Sequence, residues 1–176
     1  MRTSVPRAGY SRPVPRLVLA LAVLALLPAT ALATSGKPRV CRPATIERAL
    51  IDAGKLTVSD TKNGIAVDLV RCGDVTADGV ADAVFTLASG GTAGDTRFGV
   101  LRGRAGRLVL YRTGYKVGIA RRDARSFETL MPHYGPDDPN CCPSSFRKRR
   151  YTWSGTHFRA GNAIKLDTAP RRFYKP

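Results

Sequence analysis

The sequence predicts an α+β fold, with one N-terminal helix packed on a mostly antiparallel sheet and stabilised by disulfides. Three observations carry that expectation. Ile46, Ala49, Leu50 and Ala53 fall at i, i+3, i+4 and i+7, which puts one apolar stripe on a helix. Short apolar runs then recur between glycine-rich and Asp-rich turns for most of the remaining chain. Four cysteines, Cys41, Cys72, Cys141 and Cys142, all follow an export signal, where disulfides form and persist.

That signal occupies residues 1–33. Arg2, Arg7, Arg12 and Arg16 precede an uncharged apolar run, Leu17 to Leu27. The run is shorter than the roughly 20 residues needed to span a bilayer. Ala31-Leu32-Ala33 before Thr34 supplies an A-x-A cleavage site. The chain carries 29 Lys plus Arg against 13 Asp plus Glu, a net charge of +16. Cleavage removes four arginines and no acid, so residues 34–176 keep 25 against 13, or +12. Cys41 follows Pro38-Arg39-Val40, which is too polar for a lipid-attachment site, so the expected product is secreted and soluble, outside the cell or at its envelope. Residues 34–40 read as a linker and 41–176 as a single domain with a basic C-terminal tail.

Along the domain, Gly54 suits the residue just after a helix, closing roughly three turns that begin near Thr45. Lys62-Asn63-Gly64 signals a turn. Ile65 to Val70 is an apolar strand that delivers Cys72 to the Asp-rich stretch Cys72–Asp82. Strands follow at 83–88, 98–101 and 108–111, separated by Ser89-Gly-Gly-Thr-Ala-Gly-Asp95 and Gly103-Arg-Ala-Gly106. Residues 113–123 alternate weakly and are rich in cations. A further strand covers Ser126 to Met131, and 132–145 is an irregular, proline-rich segment holding both adjacent cysteines. Arg150 to Trp153 and Thr156 to Phe158 flank Ser154-Gly155 as a terminal hairpin, with Tyr151 and Trp153 on one face. The four cysteines allow three pairings. A bond between neighbours closes a ring far from ordinary disulfide separations, so Cys141 and Cys142 are each expected to reach a different partner, Cys41 or Cys72.

The sharpest chemical signal is the Asp loop. Asp74, Thr76, Asp78, the Val80 carbonyl and Asp82 place oxygens at positions one, three, five, seven and nine, with Gly79 at six. Such spacing suits a Ca2+ ion, as in the loops of FG-GAP and dockerin-type repeats, or a turn closed by its own carboxylates. An EF-hand would need Glu where Phe85 stands. The glycine-rich 89–95 loop lacks the Gly-Lys-Ser/Thr ending of a phosphate-binding loop and reads as a hairpin connection, with Asp95 able to fold over the Asp loop. From Cys141 onward nine cations face one anion, Asp167. Arg147, Lys148, Arg149, Arg150, Arg171 and Arg172, interleaved with aromatic residues, form a candidate polyanion surface or a solvated face. Outside the cell the available polyanions are anionic wall polymer and lipid headgroups, with nucleic acid a lesser candidate.

Catalytic groups are scarce. His133 and His157 are the two histidines, and neither G-x-S-x-G nor H-E-x-x-H occurs. No catalytic residue is assigned. Cys72-Gly-Asp-Val-Thr-Ala-Asp-Gly, Ser89-Gly-Gly-Thr-Ala-Gly-Asp95, Cys141-Cys-Pro-Ser144 and Tyr151-Thr-Trp-Ser-Gly-Thr156, in that order, resemble the actinobacterial LppP/LprE-type lipoproteins and their secreted relatives. The likeness covers most of residues 64–158 and implies an exported, envelope-associated domain of undefined activity. The missing lipid-attachment site sets this chain apart from that pattern. The expected function is therefore a non-enzymatic binding or structural protein of the envelope. The alternative is a hydrolase or hydrolase inhibitor working through the 89–95 and 132–145 loops, for which a pocket joining Asp95, His133 and Asp137 would be diagnostic.

Overall fold

Of the helix stripe read from the sequence, Ile46 and Leu50 are buried on the inner face of α1, Pro43–Asp52, and Ala49 is half-buried, whereas Ala53 follows the last helical residue and is exposed. Pro43 opens the helix, where a missing N–H leaves no bond unmade. The computed structural model describes residues 36–174, so the export signal lies outside the described residues. A second short helix, α2 at Val58–Lys62, was not expected. Its sequence signal is a capping box: the Asp60 N–H donates to Thr57 Oγ1, and the Thr57 N–H donates to the Asp60 carboxylate at 2.8 Å.

Eight strands follow: β1 Val67–Gly73, β2 Asp82–Ala88, β3 Asp95–Arg102, β4 Arg107–Thr113, β5 Gly118–Asp123, β6 Ser126–His133, β7 Ser145–Trp153 and β8 Phe158–Leu166. All pairings are antiparallel, as expected. The structure departs from the expected single sheet with one helix. The strands form two four-stranded meanders, β1-β2-β3-β4 (sheet A) and β5-β6-β7-β8 (sheet B). The reason is coverage. A ten-residue helix is about 15 Å long, whereas eight strands side by side span roughly 34 Å at about 4.8 Å each. Folding the second meander over the first buries what the helix cannot reach.

Sheet A is consequently the middle layer. Its β2 shows no alternation because both faces are covered. Ala83, Phe85 and Leu87 pack with Ile46, Leu50 and Leu56 beneath α1. Val84, with Phe98 and Val100 of β3, packs against Phe127, Tyr151, Trp153 and Phe158 of sheet B. Gly99 is required where β3 passes under Phe85, since a Cβ there would lie 2.6 Å from the Phe85 ring. On the sheet B side, Phe127 and Tyr151 stack with centroids 5.1 Å apart, and Phe98 meets Tyr151 edge-on at 5.5 Å. The expected terminal hairpin is present and longer, running through all of β7 and β8, with Tyr151 and Trp153 both in the inter-sheet core. The C-terminal segment closes the far side. Phe173 is buried with Ala120 and Leu130, and Arg71 of β1 donates to the carbonyls of Ile119, Arg172 and Tyr174. Among the described residues, no helix is long and apolar enough to cross a membrane.

The cysteine pairing corrects the expectation. Cys41 bonds to Cys72, and Cys141 bonds to its neighbour Cys142. Cys41 is buried under α1 beside β1, which carries Cys72, whereas Cys141 and Cys142 are exposed on the β6–β7 loop of the other sheet. Layering thus separates the two pairs. The bridges should differ in worth, because the entropic benefit grows with the loop closed. Replacing Cys41 and Cys72 together by Ser, which opens a span of 31 residues, should cost about 2–4 kcal/mol in urea unfolding. Replacing Cys141 and Cys142 should cost less than about 1 kcal/mol.

Candidate functional site

The Asp loop joins β1 to β2 and is held by hydrogen bonds to all three of its carboxylates. Asp82, fully buried, accepts from the Val75 N–H at 2.9 Å, the Thr76 N–H at 3.0 Å, Thr76 Oγ1 at 3.0 Å and the Gly103 N–H at 2.9 Å. Asp74 accepts from the N–H groups of Thr76, Asp78 and Gly79. Asp78 accepts from the Val80 N–H and pairs with Arg102 at 2.9 Å and Arg104 at 3.5 Å. The chain turns through left-handed conformations at Ala77 (φ 52°) and Gly79 (φ 80°). Burial works against ionisation of Asp78, but the Val80 N–H, Arg102 and Arg104 outweigh it and hold the carboxyl below its ordinary value. The expected ligand set Asp74, Thr76, Asp78, Val80 and Asp82 is therefore gathered in one loop, with its carboxylates turned to protein donors and the Thr76 hydroxyl donating to Asp82. Among the described residues, no group of three or more His, Cys, Asp or Glu is arranged to hold a metal ion.

Asp95 does not fold over this loop. The Asp loop precedes β2 and the glycine-rich loop follows it, so the two sit at opposite ends of a seven-residue strand about 20 Å long. Asp95 instead accepts from Thr86 Oγ1 at 2.6 Å and lines a cavity of about 390 Å³ with Asp68, Gly94, Lys116 and Tyr174. Lys116 ties the two loops of interest together. Its Nζ donates to Tyr134 Oη at 2.9 Å and to the Asn140 carbonyl at 2.8 Å, while its side chain packs beside Gly94. The bond to Tyr134 raises its pKa despite the opposing effect of burial. The diagnostic trio is not assembled: His133 lines a separate cleft, and Asp137 is exposed and lines neither. Asp138 has the structural role, accepting from the Gly135 and Ser144 N–H groups at 2.7 Å each and bracing the β6–β7 loop.

The six candidate polyanion-binding cations fall into separate groups. Strand alternation and the β6–β7 register put Arg147 and Arg149 on one face of sheet B, opposite Met131 and Thr129. Lys148 and Arg150 point to the other face, opposite Leu130 and Glu128. Glu128, with a side chain only 4 % exposed, collects Arg122 at 3.0 Å, Arg172 at 3.2 Å and Lys148 at 3.5 Å. Burial pushes the Glu128 carboxyl up, but Arg172, Lys148 and Arg122 prevail and its pKa is lowered. Lys148 and Arg172 are thus committed to an internal carboxylate. Among the described residues, no carboxylate lies within 4.0 Å of a cationic nitrogen of Arg147 or Arg149. Sequence reasoning missed Glu128, and it also missed His133 and Lys165 as neighbours of Arg147. Alternation along β6 was the signal that could have set Glu128 apart from Phe127 and Thr129, whereas the neighbours of Arg147 follow from register, which no local pattern reveals.

No protein-family model, curated protein or solved structure matches this chain.

Asp82→Ala leaves the Val75, Thr76 and Gly103 N–H groups without their acceptor and should cost roughly 3 kcal/mol or more in urea unfolding. Asp74→Ala, at the more open side of the loop, should cost about 1 kcal/mol. The depressed Glu128 carboxyl contributes stability that is fully present above its unfolded value and lost as pH falls through the lower folded value. Below the ordinary value of 4.5, Glu128→Gln should show a shallower acid-induced loss of stability than the parent in pH-dependent denaturation.

Proposed function

We propose that this chain is a secreted, non-enzymatic binding module of the cell envelope that holds an anionic wall polymer on the basic face of sheet B. One observation carries this above the others: Arg147 and Arg149 are exposed together, with no acidic partner among the described residues, while Glu128 takes up cations on the opposite face. A polyanion gains affinity at such groups because they displace its condensed counterions into solution. The expected export signal and the resemblance to LppP/LprE-type proteins support a meeting at the envelope. The Asp loop serves as an internal brace. A Ca2+ ion there would have to compete with Arg102 and Arg104 for Asp78.

The alternative of a hydrolase or hydrolase inhibitor has one supporting observation, the link that Lys116 makes between the 89–95 and 132–145 loops. The cavity beside it offers Asp95, Lys116 and Tyr174 to a small polar ligand. The hydroxyl that Asp95 holds, that of Thr86, is itself fully buried.

Residues 34–176 should sediment with purified anionic wall polymer. Raising salt from about 50 to about 200 mM should weaken binding roughly tenfold if two or three phosphate contacts are made. Failure to sediment at low salt, or sedimentation that ignores salt, would sink this function. For the loop, thermal midpoints in excess calcium and in chelator should coincide. A midpoint that rises with calcium, and no longer does so in Asp78→Asn, would instead make the loop a metal site, since a ligand of the native state stabilises it by mass action.

A further inference from the structure

We propose that one end of this face is a subsite for a single tetrahedral oxyanion, a phosphodiester group of the polymer, cradled by Arg147, Arg149, Lys165 and His133. This rests on the function proposed above and identifies which groups do the holding.

Register brings the four together. Arg147 stands between Met131 of β6 and Lys165 of β8, and Arg149 stands between Thr129 and Ala163. His133, two residues beyond Met131, shares the face by alternation, and its Nε2 lies 3.2 Å from Arg147 Nη2. With that nitrogen accepting, the imidazole orients the guanidinium and leaves the other Arg147 N–H groups available. Arg147, Arg149, His133 and Ala163 line a cleft of about 240 Å³, and the register with Arg147 sets Lys165 at its margin. Its β8 side is low because Ala163 opposes Arg149, so nothing large fills the space beside the guanidinium.

The electrostatics call for an anion. Arg147 and Lys165 are directly opposed across the β7–β8 pair, an arrangement of like charges that destabilises a sheet. No carboxylate relieves it within ion-pair distance among the described residues. The rest of the same face explains why these cations stay in water: Phe127, Tyr151 and Trp153 are covered by sheet A, and the cradle lies beyond that cover.

Donors from two strands, the guanidinium N–H groups of β7 and the Lys165 ammonium of β8, suit a group with oxygens in several directions. A planar carboxylate is satisfied by one guanidinium fork, whereas a phosphodiester can accept from two arginines and an ammonium at once. A polymer is favoured over a bilayer because the exposed large apolar side chains, Val58, Tyr115 and Ile164, do not line the cleft. Ile164 points to the opposite face of β8 from Lys165. A membrane-surface site would pair its cations with an inserted apolar edge.

The test titrates the secreted chain with dimethyl phosphate and with acetate, following backbone amide shifts. It then compares sedimentation with phosphodiester wall polymer and with phosphatidylglycerol vesicles. Two double variants remove equal charge: Arg147→Gln with Arg149→Gln in the cradle, and Arg125→Gln with Arg159→Gln outside it. All these side chains are exposed, so both variants should fold, and unchanged thermal midpoints check this. Shifts should cluster at residues 131, 147, 149 and 163, with dimethyl phosphate bound more tightly than acetate. The cradle variant should lose about tenfold or more in dimethyl phosphate and polymer affinity, and the outer variant less than about threefold. Equal losses in the two variants, acetate binding as tightly as phosphate, or vesicles binding as well as polymer would each overturn the subsite. Polymer binding that survives in the cradle variant overturns the subsite and leaves the broader function standing. A wild-type chain that binds dimethyl phosphate at the cradle but ignores the polymer does the reverse.

Discussion

A buried carboxylate sits at the start of the most deeply enclosed strand, and most of the architecture is arranged around it. Asp82 is sealed from water, and an ion in that position survives only if protein donors replace its hydration shell. Two backbone N–H groups and a hydroxyl come from the loop just before it, and a third N–H arrives from Gly103 in the β3–β4 turn. The Asp loop is thereby closed and the turn docked against it. The Cys41–Cys72 bridge lies beside the same point, with Cys41 Sγ 3.5 Å from the Asp82 carbonyl oxygen. With the start of β2 fixed in this way, α1 packs on one face of the strand and sheet B on the other.

Glu128 does for sheet B what Asp82 does for sheet A, with cations in place of backbone donors. Arg122, Lys148 and Arg172 converge on it from β5, β7 and the C-terminal segment, so one carboxylate fastens three parts of the chain. The consequence for function is a sorting of charge. Arg122, Lys148 and Arg172, gathered on Glu128, serve the fold, while Arg147 and Arg149, on the end of the inner face that sheet A leaves uncovered, are left to the solvent. A net charge counted along the sequence cannot make that distinction, because neighbours in β7 point to opposite sides of the sheet.

Much of the site was legible before any coordinates. The spacing of Asp74, Thr76, Asp78 and Asp82 around Gly79 marked a closed loop because the atoms that hold it belong mainly to the loop itself. Tyr151 and Trp153 could be assigned to one face because strand alternation is local. The second sheet was not legible, since apolar runs such as Ala83–Leu87 read alike whether a helix or another sheet covers them. Nor was the partnership of Cys141 with Cys142, because the expected partners lay beyond an intervening layer that no short-range pattern reveals.

The sequence by itself determined the position of α1, nearly all of the strands, the shape of the Asp loop and the excess of positive charge toward the C-terminus. Each follows from side-chain periodicity, turn chemistry or composition within a short window. Tertiary structure alone decided that the strands divide into two sheets, that Asp95 lies at the far end of β2 from the Asp loop, and that Arg147, Arg149, Lys165 and His133 share one face. Those outcomes depend on register and layer order, which are set by contacts between residues far apart in the chain and by how much surface a ten-residue helix can cover.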